Sequence, residues 1–199
     1  VACDSAASLL YRNNHDGTFR EIGVEAGCAY NEDGTEQAGM GAAAADYDGD
    51  GWIDIVKTNF SDDTSSLYHN LGQGSFEDLT FASGIGVNTH FLGWGAGFID
   101  LDNDGWKDLF LSNGHIYPGI DQQLRHLRYA QRNLLYKNIS GRKFLDVSLR
   151  SGPGLLLEKS SRGCAFGDFD NDGDVDILIS NINDVPTLLR NDSPPMNWI

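Results

Sequence analysis

The chain has 199 residues, 40% of them hydrophobic and 11% aromatic, which excludes a disordered acidic tail and predicts a folded domain. Its formal net charge is −15, from 29 acidic and 14 basic residues, and such a surface repels nucleic-acid phosphates and anionic lipids. Because the sequence also lacks a run of about 18 apolar residues, we expect no nucleic-acid partner and no membrane insertion.

The first predicted elements are two short strands joined by a tight turn. The segment LLYRN (9–13) leads into the turn NHDGT and then Phe19, a pattern typical of a β-hairpin. The chain begins at Val1 rather than Met, so we expect it to be a piece of a longer protein. We interpret residues 1–35 as the outer strands of a partial repeat unit with a connector.

The next elements form a unit that recurs along the chain. A strand of small residues, an Asp-rich loop and an apolar strand follow one another three times, in GMGAAAADYDGDGWIDIVKTN (39–59), GWGAGFIDLDNDGWKDLFLSN (93–113) and RGCAFGDFDNDGDVDILISN (162–181). Each block is followed by a relative of LLYRN, which reads SLYHN (66–70), LLYKN (134–138) and LLRN (188–191). We divide this part of the chain into units at 36–92, 93–160 and 161–193.

Each complete unit supplies four short antiparallel strands, ending in a strand that contains Phe76 or Phe144. Tandem four-stranded units predict an all-β fold made of β-propeller blades, with about three and a half blades in this chain. The Gly- and Ala-rich strand suits the crowded position nearest the propeller axis. A β-solenoid is the competing architecture, but its repeats are shorter.

The middle unit carries an insertion, residues 116–132, within the sequence GHIYPGIDQQLRHLRYAQR. We predict a short surface helix in its Gln122–Arg132 part. His115 stands where the insertion begins, and we expect it to stabilise the loop by a hydrogen bond rather than to contact a ligand.

The chemistry of the chain is concentrated in three loops with the pattern D-x-D-x-D-G-x-x-D, at 46–54, 100–108 and 168–176. Four carboxylates within one tight turn repel one another, and a hard divalent cation reverses that repulsion. Ca²⁺ accepts six to eight oxygen ligands in a flexible geometry, whereas Mg²⁺ demands a stricter octahedron. The sequence therefore predicts three Ca²⁺ sites.

The predicted ligands are the four aspartates of each loop and the residue at loop position 7, which would present its backbone carbonyl. They are Asp46, Asp48, Asp50, Trp52 and Asp54; Asp100, Asp102, Asp104, Trp106 and Asp108; and Asp168, Asp170, Asp172, Asp174 and Asp176. An EF-hand is excluded because loop position 12 is Lys57, Leu111 or Ile179 instead of Glu, and because the flanking segments are strands.

On these motifs the chain resembles the FG-GAP/VCBS repeat family, and its middle unit is similar to the cartilage acidic protein-like proteins that pair such repeats with an ASPIC/UnbV domain. The resemblance implies a seven-bladed, calcium-stabilised propeller in an extracellular, periplasmic or cell-surface protein. The ending PPMNWI, residues 194–199, is similar to the linker that leads into the ASPIC/UnbV domain.

Several other residues are candidates for lesser roles. Cys3 and Cys28 can form a disulfide bridge, with Cys164 left as a small core residue. Phe91 and three tryptophans, Trp52, Trp94 and Trp106, could line a sugar-stacking surface, although packing between blades explains them better. Sequons begin at Asn59, Asn138 and Asn191, and each would be a surface attachment point in a glycosylated protein.

Three hypotheses of function follow. The first is a non-enzymatic adhesion, interaction or assembly scaffold, stabilised by Ca²⁺ and with an unidentified protein or glycan partner. The second is part of a secreted carbohydrate-active enzyme, which the sequence does not require because it contains no recognisable catalytic motif. The third is a subunit that self-assembles through the open edges of its blades.

Overall fold

The structure, a computed structural model, describes residues 1–193, which form antiparallel sheets joined by short connections. An N-terminal hairpin pairs β1 (Tyr11–Asn13) with β2 (Phe19–Glu21). The first blade contains β3 (Gly39–Ala45), β4 (Asp54–Asn59), β5 (Ser66–Asn70) and β6 (Phe76–Asp78). The middle blade contains β7 (Gly93–Ile99), β8 (Asp108–Asn113), β9 (Leu134–Ile139) and β10 (Lys143–Asp146). The third blade contains β11 (Ser161–Gly167), β12 (Asp176–Asn181) and β13 (Thr187–Leu189).

Within every sheet the strands are neighbours in the order in which they occur along the chain. This arrangement confirms the predicted all-β fold of blades with four antiparallel strands. The unit boundaries proposed from the sequence stay a prediction, and the proposed linker, 194–199, lies outside the described residues.

Helices are short and lie in the connections. Two four-residue helices, α1 (Gly23–Ala26) and α2 (Thr80–Ser83), follow the last strands of the hairpin and of the first blade. A third, α3 (Ile120–Gln123), lies in the insertion, and a 3₁₀ turn covers Pro153–Leu156. Over residues 1–193, no helix combines the length and the apolar character that crossing a membrane requires.

The hydrophobic core is divided among the interfaces between neighbouring sheets. One cluster lies between the first and middle blades and includes Val56, Leu67, Leu109 and Tyr136, all with 1% exposure or less. A second lies between the middle and third blades, around Phe110 and Ile179. A third joins the N-terminal hairpin to the first blade. Since the apolar residues are shared between sheets, each blade is stabilised chiefly by its neighbours.

The inner strands approach one another so closely that glycine is required at the contact. A Cβ at Gly95 would lie 2.8 Å from Ser112 Oγ and 2.9 Å from the carbonyl oxygen of Arg162, on the next inner strand. At the equivalent contact, a Cβ at Gly41 would overlap the carbonyl oxygen of Trp94. The prediction that small residues occupy the crowded innermost strand agrees with this packing.

A hydroxyl group on the second strand of each blade completes the contact. The Thr58 hydroxyl donates to the carbonyl oxygen of Trp94 at 2.8 Å and accepts the backbone N–H of Gly41 at 2.9 Å. The Ser112 hydroxyl donates in the same way to the carbonyl oxygen of Arg162. These hydroxyls satisfy backbone groups where a β-bulge interrupts the ladder.

The insertion does not form the predicted surface helix over Gln122–Arg132. Its helical part is limited to α3, and the chain then turns inward, so that Leu127 and Gln131 are buried. The Gln131 side chain accepts the backbone N–H of Leu92 at 3.0 Å and donates to the carbonyl oxygen of His90 at 3.1 Å. Tertiary contacts of these two residues therefore override the local helical tendency.

His115 has the role expected of it, at the start of the insertion, where its side chain is 1% exposed. The backbone N–H of Tyr117 donates to Nδ1 at 3.1 Å, so the ring proton is on Nε2, 3.3 Å from the Ser61 hydroxyl. Burial and the nearby Arg162 guanidinium lower the pKa of His115 and keep the imidazole neutral.

The cysteines differ in part from expectation. Cys3 and Cys28 are free thiols, so the proposed bridge between them is wrong. The Cys28 side chain is buried in the cluster below the N-terminal hairpin and points toward the carbonyl oxygen of Gly23, at 3.8 Å. Cys164 packs against the cluster between the middle and third blades, as predicted, and burial raises its pKa to about 11.

Replacing Gly95 by Ala should destabilise the chain, because the added methyl group must displace backbone atoms of β11. We expect a loss of about 1–3 kcal/mol in the free energy of unfolding, measured by urea denaturation. Gly167→Ala is the matched control, since a Cβ there meets no atom within 4 Å. Equal losses in the two variants would contradict the close contact.

His115 should make stability fall as the pH falls through the unfolded pKa of a histidine, about 6.5. The folded pKa is lower, so the unfolded state binds more protons around this pH. The contribution is present above the unfolded pKa and is lost as the pH falls. Urea denaturation should therefore show a shallower pH dependence for His115→Gln than for the wild type. An identical change in the control His15→Gln, at an exposed histidine, would contradict this explanation.

Candidate metal centres

The three Asp loops occupy equivalent places, each joining the inner strand of a blade to the second strand. In each loop the first aspartate accepts the backbone N–H of the loop glycine. The Oδ2···N distances are 2.9 Å for Asp46–Gly51, 2.9 Å for Asp100–Gly105 and 3.0 Å for Asp168–Gly173. These glycines have φ between 91° and 93°, a conformation that other residues rarely adopt, and it turns the loop back on itself.

The last aspartate of each loop is buried and joins the second strand, on which it lies, to the loop and to the end of the third strand. Asp54 is fully buried, and its Oδ2 accepts the N–H of Tyr47 in the loop while its Oδ1 accepts the N–H of Asn70 at the end of β5. The same pair of hydrogen bonds is formed by Asp108, with Leu101 and Asn138, and by Asp176, with Phe169 and Asn191. The loop is therefore built into the blade rather than attached to its surface.

Carboxylate oxygens converge in every loop. Within residues 1–193, oxygens that lie within 4.8 Å of one another come from Asp46, Asp48 and Asp50; from Asp100, Asp102 and Asp104; and from Asp168, Asp170 and Asp176. Asp48 and Asp54 form a further group with a nitrogen of His69. Ligation of a metal ion by the predicted residues stays a prediction, and Asp108, Asp172 and the residues at loop position 7 are not among the converging groups.

The electrostatics of the loops favour a bound cation. Burial raises the pKa of Asp108 to about 6, with a further contribution from the negative charges of Asp102 and Asp104. Burial likewise raises the pKa of Asp48, together with the charges of Asp54 and Asp50. Both shifts show that the ionised carboxylates are disfavoured when no cation compensates them.

The middle loop also contains an oxygen suited to a metal ion. Asp102 Oδ1 is buried and has no hydrogen-bond partner within the part of the chain that the structure describes. A buried carboxylate oxygen without a partner is costly, and ligation of a cation would satisfy it. The donor set consists of hard oxygens at flexible spacing, which fits Ca²⁺.

A basic side chain lies over each loop, a feature that the sequence reasoning missed. His69 Nδ1 is 3.0 Å from Asp54 Oδ1, the Lys137 ammonium contacts Asp102, and Arg190 Nη1 is 3.9 Å from Asp170 Oδ2. All three occupy the position before Asn in the Leu-rich motif, where the N-terminal hairpin has Arg12. This repeated basic position was the signal that could have indicated the contact.

In the middle and third blades, the asparagine that ends the Leu-rich motif joins neighbouring blades. Asn138 Nδ2 donates to the carbonyl oxygen of Lys107 at 2.9 Å and, across the blade interface, to that of Tyr47 at 2.8 Å. Asn191 Nδ2 reaches the carbonyl oxygen of Leu101 at 2.7 Å. Asn138 and Asn191 therefore fix the loop of the preceding blade, whereas Asn70 Nδ2 donates within its own blade, to the carbonyl oxygen of Ile53 at 2.9 Å.

The sequons are not the surface attachment points that the sequence suggested. Asn138 and Asn59 are 1% and 2% exposed, and both side-chain amides donate hydrogen bonds. Asn191 is partly buried, and its Nδ2 also donates a hydrogen bond, to the carbonyl oxygen of Leu101. In all three sequons the asparagine side chain is thus engaged in hydrogen bonds within the blade or to its neighbour.

Most of the aromatic residues considered for a sugar-stacking surface pack against other side chains of the protein. Arg162 lies over the ring of Trp94 at 4.2 Å, and Arg132 lies over Phe91 at 4.9 Å. Trp106 is partly buried, whereas Trp52 is 51% exposed. The four rings are thus used separately and do not support a shared sugar-stacking surface.

Comparison with known proteins agrees with this architecture. Cartilage acidic protein 1 from Homo sapiens is 28% identical over 190 residues, covering 90% of this chain and 25% of that protein. The Mus musculus protein of the same name is 28% identical and the Xenopus tropicalis protein 27% identical, each with 90% of this chain and 26% of the relative covered. The chain thus spans about a quarter of the length of the curated relatives it matches. The expected likeness to cartilage acidic protein-like proteins is confirmed.

The repeat itself is matched by a family model described as FG-GAP-like repeat, over residues 1–57 and 46–111. These two matches together extend over more than half of the chain, and they contain the first two Asp loops. The chain therefore belongs to the FG-GAP-like repeat family.

Proposed function

We propose that the chain is a calcium-binding, non-enzymatic repeat module that acts as a scaffold for adhesion, interaction or assembly. The observation that carries the proposal is the loop geometry, in which carboxylate oxygens converge within 4.8 Å in three equivalent loops. A bound Ca²⁺ would supply the positive charge that these oxygens lack. The residues of the chain supply the geometry of the site, since each loop is already positioned by backbone hydrogen bonds.

The scaffold role follows from what each loop connects. Asp54, Asp108 and Asp176 hold the second strand, the loop and the third strand of a blade together. Asn138 and Asn191 extend the connection to the preceding blade. Neutralising the carboxylates would therefore stiffen both the blade and the interface between blades, leaving the outer loops as a rigid surface for a protein or glycan partner.

We further propose an extracellular, periplasmic or cell-surface location. Calcium sites in extracellular modules have Kd values of about 10⁻⁴–10⁻³ M, so sites of modest affinity are filled there. The acidic surface and the likeness to proteins named cartilage acidic protein support such a location. Nucleic acid is a poor partner for the same electrostatic reason.

His115, whose replacement by Ala would test the alternative of a carbohydrate-active enzyme, gives that alternative no support. His115 is buried, and both ring nitrogens contact other groups of the chain. Its low pKa results from burial and does not require a catalytic role.

Metal counting tests the calcium proposal directly. The purified chain should bind three Ca²⁺, and each of Asp48→Asn, Asp102→Asn and Asp170→Asn should remove about one, because each replaces a charged oxygen of one loop. Chelation should lower the Tm, since ligand at about 100 times its Kd contributes about 2.7 kcal/mol per site. The control Asp33→Asn changes an exposed aspartate outside the loops and should bind three ions. A chain that binds no Ca²⁺ at millimolar concentration would contradict the proposal.

A second candidate function, self-assembly, is favoured by the exposed face of the third blade. Val56 and Thr58 in the first blade and Phe110 and Ser112 in the middle blade are fully buried. The residues at the equivalent positions, Leu178 and Ser180, are exposed, and Leu178 is 48% accessible. We propose that another copy of the chain packs on this face, as the next blade does elsewhere in the structure.

Light scattering coupled to size exclusion tests this second proposal. The 199-residue chain should associate as its concentration rises, and Leu178→Asp should reduce the association by placing a charge on the exposed face. Leu149→Asp, at an exposed leucine outside the three blade sheets, is the control and should associate like the wild type. A wild-type chain that stays monomeric at every concentration, with and without Ca²⁺, would rule out self-assembly.

A further inference from the structure

The middle loop differs from the other two in the cation that lies over it. Lys137, on β9, places its ammonium group against the Asp102 carboxylate and 3.4 Å from Asp104 Oδ2. Asp102 and Asp104 are two of the three residues whose oxygens converge in this loop. The lysine therefore touches the same carboxylates that the proposed function assigns to Ca²⁺.

We propose that Lys137 is a tethered counter-cation of the middle loop, which Ca²⁺ displaces on binding, and that this lysine sets the calcium affinity of the loop. The inference rests on the proposed function, because it concerns the same site. According to this inference, a residue outside the Asp loop controls how strongly the loop binds Ca²⁺.

The chemistry of lysine suits this role. An ammonium group is a compact charge with three donors on a flexible four-carbon stem, so it can neutralise carboxylates without ligating a metal. The Lys137 side chain is 34% exposed, which leaves it a path to solvent. Because an ammonium group and Ca²⁺ repel each other, both cannot occupy the same oxygens.

The third loop provides an internal comparison. Arg190 contacts Asp170 only at 3.9 Å and has its closer partner, at 2.7 Å, in Asp192 outside the loop. In the first loop, His69 carries an imidazole, whose nitrogen can itself ligate a metal. The middle loop is therefore the one in which a permanently charged group lies directly on the converging carboxylates.

The opposite interpretation is that Lys137 supports the site by holding Asp102 in position. Removing the lysine would then weaken Ca²⁺ binding, whereas removing a competitor strengthens it. The sign of the change in affinity consequently distinguishes the two roles.

The test uses Lys137→Met, which keeps the length of the side chain and removes its charge, in the full 199-residue chain. Calorimetric titration with Ca²⁺ should show that one site gains about tenfold in affinity, the repulsion expected between charges of +1 and +2 about 6 Å apart in a water-like dielectric. The Tm of the metal-free protein should fall, so the increase in Tm on adding Ca²⁺ should become larger.

Further variants make the result specific. Lys143→Met changes an exposed lysine of the same hairpin and should leave all affinities unchanged. Lys137→Arg keeps the charge and should stay within about threefold of the wild type. Adding Asp102→Asn to Lys137→Met should remove the site that had gained affinity. Lys137→Gln replaces the methionine variant if near-ultraviolet circular dichroism shows that the latter is misfolded.

The outcomes separate this inference from the function on which it rests. A wild type that binds three Ca²⁺, together with a Lys137→Met variant of unchanged or lower affinity, overturns the inference and leaves the proposed function intact. A wild type that binds no Ca²⁺ overturns both. A tenfold gain that disappears with Asp102→Asn supports the tethered counter-cation.

Discussion

The structure depends on a buried carboxylate at the end of each Asp loop. Asp54, Asp108 and Asp176 accept backbone N–H groups from the loop with one oxygen and from the third strand with the other. These hydrogen bonds organise the blade, but they bring a negative charge into a buried position beside other carboxylates. Burial raises the pKa of Asp108 to about 6, which measures how unfavourable the ionised form is. The local fold and the electrostatics that favour a cation thus have the same origin.

The inner strand of each blade connects this charge to the packing between blades. Its C-terminal end leads into the Asp loop, while its N-terminal part contacts the inner strand of the next blade through glycine and a hydroxyl group. At Gly95 the choice of residue is limited sterically, since a Cβ would lie within 2.9 Å of backbone atoms. At Asp100 the limit is electrostatic, because its carboxylate lies among those of Asp102 and Asp104. The inner strand and the loop that follows it therefore meet two unrelated constraints, and the glycine at the third position of the strand is the residue that all three blades share.

The blades and the converging aspartates could be predicted because their determinants are local and repeated. Asp46 and Gly51 lie in one turn, and the same turn is written three times. The insertion could not be predicted in this way, since Leu127 and Gln131 are placed by contacts with distant residues. The roles of Asn138 and Lys137 were missed for a related reason. Their partners, Tyr47 and Asp102, lie far away in sequence, and the motif shows only that the residues recur.

Ca²⁺ binding in one loop should also affect the neighbouring loops, because hydrogen bonds link the loops across the interfaces between blades. Asn138 fixes the carbonyl of Tyr47 in the first loop, and its own N–H is held by Asp108 of the middle loop. Asn103 of the middle loop donates to Asp174 of the third at 2.8 Å. A change in charge at the middle loop therefore acts on hydrogen bonds that reach both flanking loops. If the loops bind Ca²⁺, we expect the affinities of neighbouring loops to be coupled through these asparagines.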